Sequence, residues 1–216
     1  YTPDHPRFRF CYINPLTPPS SSLPCAKTLA DTLSALTSGK GPATMSSSVD
    51  PLVVGRVIGE VLDMFVPTAR IAVRYGAKHV NNGCIVKPSM AAETPAIAIT
   101  GRPDLLYTLV MTDPDAPSPS DPTMREWVHW IVVDIPGGTN PSLGREVLPY
   151  MAPRPPVGIH RYVFVLFQQK GPFPLVAPPE PRSNFSTRAF AAHFDLGLPV
   201  ATVYFNAQKE PAHRKR

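Results

Sequence analysis

Residues 113–130 read Asp-Pro-Asp-Ala-Pro-Ser-Pro-Ser-Asp-Pro-Thr-Met-Arg-Glu-Trp-Val-His-Trp. An apolar run at 105–111 leads into Asp113, and a second, at 127–134, begins where the prolines stop. Proline fixes φ and has no N–H for a sheet ladder, so prolines 114, 117, 119 and 122 predict a stiff loop between two strands. A stiff polar loop carried by buried strands is a common place for a site.

Outward from this stretch, short apolar or alternating runs at 70–75, 96–99, 162–167 and 200–204 predict more strands, and Asn81-Asn82-Gly83 predicts a turn. Asp50 before Pro51 reads as a helix start, with apolar residues at helical spacing over 52–64. Ser186 is placed to cap a short helix through Asp195 that ends at Gly197. Many short strands with Gly and Pro turns predict an all-β chain, a β-sandwich rather than alternating β and α units.

Composition narrows the function. At 216 residues and 43% apolar content the chain can bury one real core, and no window reaches the ~18 consecutive apolar residues of a membrane span. The net charge of +5 resides in the ends: residues 1–44 hold +2 and residues 209–216 hold +3, which leaves 45–208 neutral. Strong direct nucleic-acid binding needs a basic surface that this segment lacks. The three cysteines, Cys11, Cys25 and Cys84, show neither a disulfide framework nor metal-type spacing, which favours a reducing compartment. Residues 1–44 are rich in Pro, Ser and Thr, and Met45-Ser-Ser-Ser-Val-Asp reads as a natural start. They are therefore expected to be a disordered extension or an upstream-translation artefact, with the domain at 45–216 and a basic tail at 209–216.

A second segment carries matching chemistry: Arg154-Pro-Pro-Val-Gly-Ile-His-Arg-Tyr162. Strand alternation puts His160 and Tyr162 on one face, and likewise Trp127, His129 and Ile131. If these strands are neighbours, Asp113, Asp115, His129, His160 and Tyr162 converge on one cleft. Such a set could hold a first-row metal. Ser118 or Ser120 could serve an Asp-His-Ser hydrolase, but neither sits on a Gly-x-Ser-x-Gly elbow. It could also bind an anion, through histidine N–H donors whose pKa nearby aspartates raise, the Tyr162 hydroxyl and loop N–H groups. Arg125 and Glu126 read as an ion pair that fixes the loop.

The Asp-Pro-Asp-Ala-Pro-Ser, Arg-Glu-Trp-Val-His-Trp and Gly-Ile-His-Arg-Tyr runs resemble the phosphatidylethanolamine-binding protein family in its order and spacing. Within it, the chain is similar to the plant flowering regulators and, through Ile135-Pro-Gly-Gly, Ser183-Asn-Phe-Ser-Thr-Arg and Asn206-Ala-Gln-Lys-Glu-Pro, to the Mother-of-FT group. The resemblance implies two antiparallel sheets with Greek-key links and small flanking helices. It implies an anion or phospholipid-headgroup pocket of Asp113, Asp115, His129, His160 and Tyr162, with Pro117 and Pro155 or Pro156 on its rim and neither metal nor cofactor. Trp127, Arg125 and Glu126 join that rim, and Trp127 stands where florigen types carry Tyr and flowering repressors His.

For function the resemblance implies a non-enzymatic, monomeric regulator of seed dormancy, germination and developmental timing, in cytoplasm and nucleus. Its partners would be bZIP transcription factors, reached through 14-3-3 proteins. Pro136 matches the 14-3-3 contact, but Asp104, Leu143 and Pro172 stand where florigen types carry Arg, Phe and Arg. An Asp in place of Arg inverts the charge an acidic groove attracts. The outer loop, 170–182, has five prolines and reads as stiff surface for a different partner. A phospholipid-headgroup carrier and an inhibitor of a protein kinase or protease are the alternatives.

Overall fold

A computed structural model describes residues 50–211, so the expectations for residues 1–44 and for the basic end, His213-Arg-Lys-Arg216, lie outside the described residues. The chain is mostly β with few helices. Two short turns, α1 (Pro51–Val54) and α2 (Val57–Glu60), lead into β1 (Arg70–Tyr75), β2 (Lys78–His79), β3 (Cys84–Ile85) and β4 (Ala96–Thr100). Then come β5 (Leu106–Asp113), β6 (Trp127–Pro136), a 3-10 turn (Pro141–Leu143), β7 (Arg145–Leu148), β8 (Ile159–Gln168), α3 (Thr187–His193) and β9 (Ala201–Gln208).

The strands form a three-stranded sheet, β2-β1-β4, and a six-stranded sheet, β3-β9-β8-β5-β6-β7. Val73, Tyr75, Ile97 and Ile99 of the small sheet share one core with Leu109, Met111, Phe164 and Phe205 of the large one. On the opposite face Val110, Ile131, Val163 and Phe167 pack with Leu52, Val57, Leu62 and Ala191. β5, β6 and β8 are thus covered on both faces, which is why they read as unbroken apolar runs. β1 and β4 alternate buried and exposed, as expected of a sheet with one wet face. No described helix is long and apolar enough to cross a membrane.

Two expectations are corrected. The helix over 52–64 is instead two separate turns. Asp50 caps the first as expected, its carboxylate accepting from Leu52 N–H at 2.8 Å. The chain then bends, with Arg56 at φ 55° and Gly59 at φ 103°. Gly55 lies against Tyr204, where a Cβ would come within 2.2 Å of the hydroxyl oxygen, so tertiary packing overrides the helical period. The sheets are not wholly antiparallel either, because β3 runs parallel to β9. The Asn81-Asn-Gly turn makes no hairpin. Asn82 Oδ1 accepts from Tyr204 N–H at 3.1 Å, and the Gly83 N–H donates to the Tyr204 carbonyl at 3.1 Å. These bonds lay the chain alongside β9.

Candidate functional site

β5 ends at Asp113, and the backbone then folds on its own side chains. Asp113 Oδ1 accepts from the Asp115 N–H at 2.8 Å, a local turn that aspartate favours. Arg125 Nε donates to the Pro114 carbonyl at 2.6 Å, and the Met124 N–H to the Ala116 carbonyl at 3.1 Å. The loop is thereby a closed unit between β5 and β6.

β8 is the neighbour of β5, and it brings His160 and Tyr162 beside Asp113. His160 Nδ1 lies 2.7 Å from Asp113 Oδ2, and Nε2 lies 3.0 Å from the Val157 carbonyl. A carbonyl and a carboxylate both accept, so each ring nitrogen carries a proton and the pair is imidazolium with carboxylate. Burial alone would lower the His160 pKa, but the hydrogen bond and charge of Asp113 outweigh it and raise the value. Both N–H groups of His160 are consequently taken up inside the protein. The Tyr162 hydroxyl is within hydrogen-bond reach of Asp113 and the Arg154 backbone, and burial beside that carboxylate pushes its pKa up.

His129 arrives by a different device. Met111 pairs with Trp130 and Thr112 with Val128, so His129 is an extra residue in β6, a β-bulge. The bulge overturns one expectation: Trp127 and His129 share a face, but Ile131 lies on the other. Trp127 sits opposite Asp113, and the His129 ring meets Tyr162 edge-on at 5.1 Å, whereas Ile131 packs toward the helices. His129 Nδ1 lies 2.7 Å from the Met151 carbonyl, which makes Nδ1 the donor and leaves Nε2 as the unprotonated nitrogen of a neutral ring. Burial lowers the pKa of this histidine, the reverse of its neighbour.

Asp113, His129, His160 and Tyr162 therefore do meet, in a closed cluster in which none is more than 4% exposed. Pro155 is buried and Pro117 is half-exposed. Gly158, at φ 81°, lies on Pro119, where a Cβ would meet the proline ring at 2.9 Å. Cavities of about 520 and 270 Å³ lie elsewhere, the first around Trp130 and Glu146, the second around Arg188 and Leu198.

Asp115 does not face the histidines. Its carboxylate is held by Arg161, which donates its backbone N–H and Nε to Oδ2, both at 2.8 Å, and Nη2 to Oδ1 at 2.6 Å. The same guanidinium reaches the Gly55 carbonyl at 2.8 Å and Glu60 at 2.7 Å, tying the loop to α1 and α2. The sequence motif alone does not single out Arg161 for this role. It follows His160 in the quoted run, and alternation alone puts it on the opposite face.

The expected Arg125–Glu126 ion pair is absent. Arg125 turns outward to Glu60 at 3.5 Å, while Glu126 turns inward on the helical side of β6, where it is 6% exposed. There it accepts from Thr112 Oγ1 and from the N–H and hydroxyl of Thr187, so it anchors α3 and is not on a pocket rim. Burial raises its pKa against those donors. Ser118 and Ser120 bond each other at 3.0 Å. Among the described residues no group of three His, Cys, Asp or Glu is set to hold a metal.

A family model described as phosphatidylethanolamine-binding protein matches residues 63–206. "Protein MOTHER of FT and TFL1 homolog 2" of Oryza sativa subsp. japonica is 60% identical over 174 residues, covering 80% of this chain and 100% of the relative. "Protein TERMINAL FLOWER 1" of Arabidopsis thaliana is 51% identical over 170 residues, covering 78% of this chain and 96% of the relative. Among solved structures, a carboxypeptidase Y inhibitor complexed with its cognate proteinase superposes with a TM-score of 0.66 at 25% identity, over 74% of this chain and 94% of that one.

Proposed function

The chain belongs to the phosphatidylethanolamine-binding protein family, and on that footing we propose that it is a non-enzymatic regulator of the Mother-of-FT kind. It acts in seed dormancy, germination and developmental timing by binding protein partners, in cytoplasm and nucleus. The observation that carries this reading is 60% identity spread over the whole length of a rice Mother-of-FT homolog.

The partners are bZIP transcription-factor complexes. Contact through 14-3-3 proteins is the less favoured route, because Asp104 is exposed and paired with Arg102, and Leu143 is 61% exposed where an aromatic anchor would sit. The closed cluster serves as an anion pocket for a phosphate, sulfate or phospholipid headgroup. Its donors are Tyr162, loop N–H groups and His129 once Nε2 is protonated; His160 contributes charge, and Asp115 positions the loop through Arg161.

The test is reconstitution with a defined panel of seed bZIP factors, with and without 14-3-3, paired with germination assays of loss-of-function seeds. A stable complex with a bZIP factor and altered germination are expected. Failure of every pairing together with normal germination sinks the proposal. A second reading, protease inhibition, is favoured by the likeness to the carboxypeptidase Y inhibitor. Inhibition of a carboxypeptidase at stoichiometric protein would move the function to that class.

A further inference from the structure

The outer loop after β8 has a burial pattern that the anion cluster and the family reading leave unexplained. Between Gly171 and Arg182 it carries prolines 172, 174, 178, 179 and 181 and belongs to no helix or strand. Phe173, Val176, Pro179 and Arg182 are turned toward the domain, while residues 172, 174, 175, 177, 178, 180 and 181 are exposed. Ahead of the cis Glu180–Pro181 bond, the inward residues 173, 176 and 179 recur every third position. Three residues per turn is the period of the left-handed polyproline helix, which needs no internal hydrogen bonds.

The domain holds this segment at both ends. The Phe173 N–H donates to Asp134 Oδ1 at 2.8 Å, and Arg145 Nη2 donates to the Phe173 and Pro174 carbonyls at 3.1 and 2.9 Å. The Phe173 ring stacks on Phe194 with centroids 5.0 Å apart. At the far end Arg182 donates to the Val128, His129 and Pro149 carbonyls. Asp134 is able to serve because it occupies a second bulge of β6, at φ 58°.

What faces outward is therefore two ridges, Pro172–Leu175–Pro178 and Pro174–Ala177–Glu180. They present the dipeptides Pro174-Leu175 and Ala177-Pro178 one polyproline turn apart, roughly 9 Å. Leu175, at 94% exposed, is the most open of the large apolar side chains in the described domain. The prolines lack N–H groups, so this segment cannot be read by strand addition. Its carbonyls and ring faces suit a groove lined with aromatic side chains whose N–H and O–H groups donate. Because the domain already fixes the backbone, little ordering entropy remains to oppose binding.

We propose that the outer loop is a preformed polyproline ligand, docked by a partner protein with an aromatic-lined proline-reading groove. The proposal does not rest on the anion cluster or on the bZIP reading. The test is titration of the isotope-labelled full chain with purified SH3, WW and EVH1 modules, followed by NMR. Saturable shifts confined to the Leu175 and Ala177 amides and their neighbours are expected with at least one module class. Leu175→Ala with Pro178→Ala should weaken that binding about tenfold or more, with the melting temperature unchanged because both side chains are exposed. The proposal is overturned if no module gives saturable shifts, or if binding survives the double substitution.

Discussion

Arg161 donates three hydrogen bonds to Asp115, one from its backbone and two from its guanidinium, while a fourth from the same side chain reaches Glu60. β5 pairs with β8 only as far as Thr112 and Val163, so the Arg161 N–H on that edge has no strand partner and takes the carboxylate instead. Arg161→Ala takes both guanidinium bonds from the buried Asp115, leaving it the backbone N–H and Arg125 at 3.9 Å, and should destabilise the domain by about 3 kcal/mol. Arg161→Lys, which keeps the charge without the fork, should fall between. Chemical denaturation measures both; a loss under ~1 kcal/mol for the alanine variant would mean that water replaces the guanidinium without difficulty.

Asp113→Asn tests the neighbouring pair. His160 has its folded pKa raised, so its contribution to stability is complete below the ordinary imidazole range and disappears as pH rises through the folded value. The asparagine variant should lose about 1–3 kcal/mol at mildly acidic pH and lose that pH dependence too. Melting curves from pH 5 to 9 read it directly, roughly the range over which histidine titrates. An unaltered slope would remove Asp113 as the cause.

Sulfate offers a probe of the cluster whose own charge does not change near neutrality. Free His129 is neutral there, because burial depresses its pKa, and an anion needs its Nε2 protonated. One proton is then taken up per anion, so affinity should rise about tenfold for each pH unit lowered until the free-state pKa is reached. His129→Gln should flatten that slope. Affinity independent of pH in the parent chain would show that the backbone and Tyr162 suffice.

Glu126→Ala should destabilise the domain by about 2–3 kcal/mol, since it strands the Thr187 N–H and hydroxyl in the interior, while the Thr112 hydroxyl keeps the Trp127 carbonyl. Hydrogen exchange should rise first in α3. If exchange rises instead across the cluster at His160, the residue couples to the site after all.

The sequence disclosed local chemistry well and long-range register poorly. The runs 127–134 and 162–167 fall inside β6 and β8, and 105–111 matches β5 except at residue 105, since doubly covered strands are apolar along their length; 70–75 coincides with β1, whose one wet face makes it alternate. The meeting of Asp113, His129, His160 and Tyr162 was likewise legible, once strands carrying them were taken as neighbours. Their proton assignments were not. That His160 is charged and His129 neutral depends on which carbonyl or carboxylate faces each ring, here Met151, Val157 and Asp113. The broken 52–64 helix shows the same limit, for Gly55 yields to a tyrosine 149 positions later in the chain.

The extra residue at His129 acts as a parity switch. With regular counting from Trp130, Trp127 and His129 would project into the greasy side under the helices, and Glu126 and Val128 would face Asp113. Four assignments thus hang on a single odd position. A substitution along 126–129 disturbs one side chain's bonds, as at Glu126, but removal of one residue there inverts the strand's end at a stroke. Length is thus constrained in this stretch alongside identity.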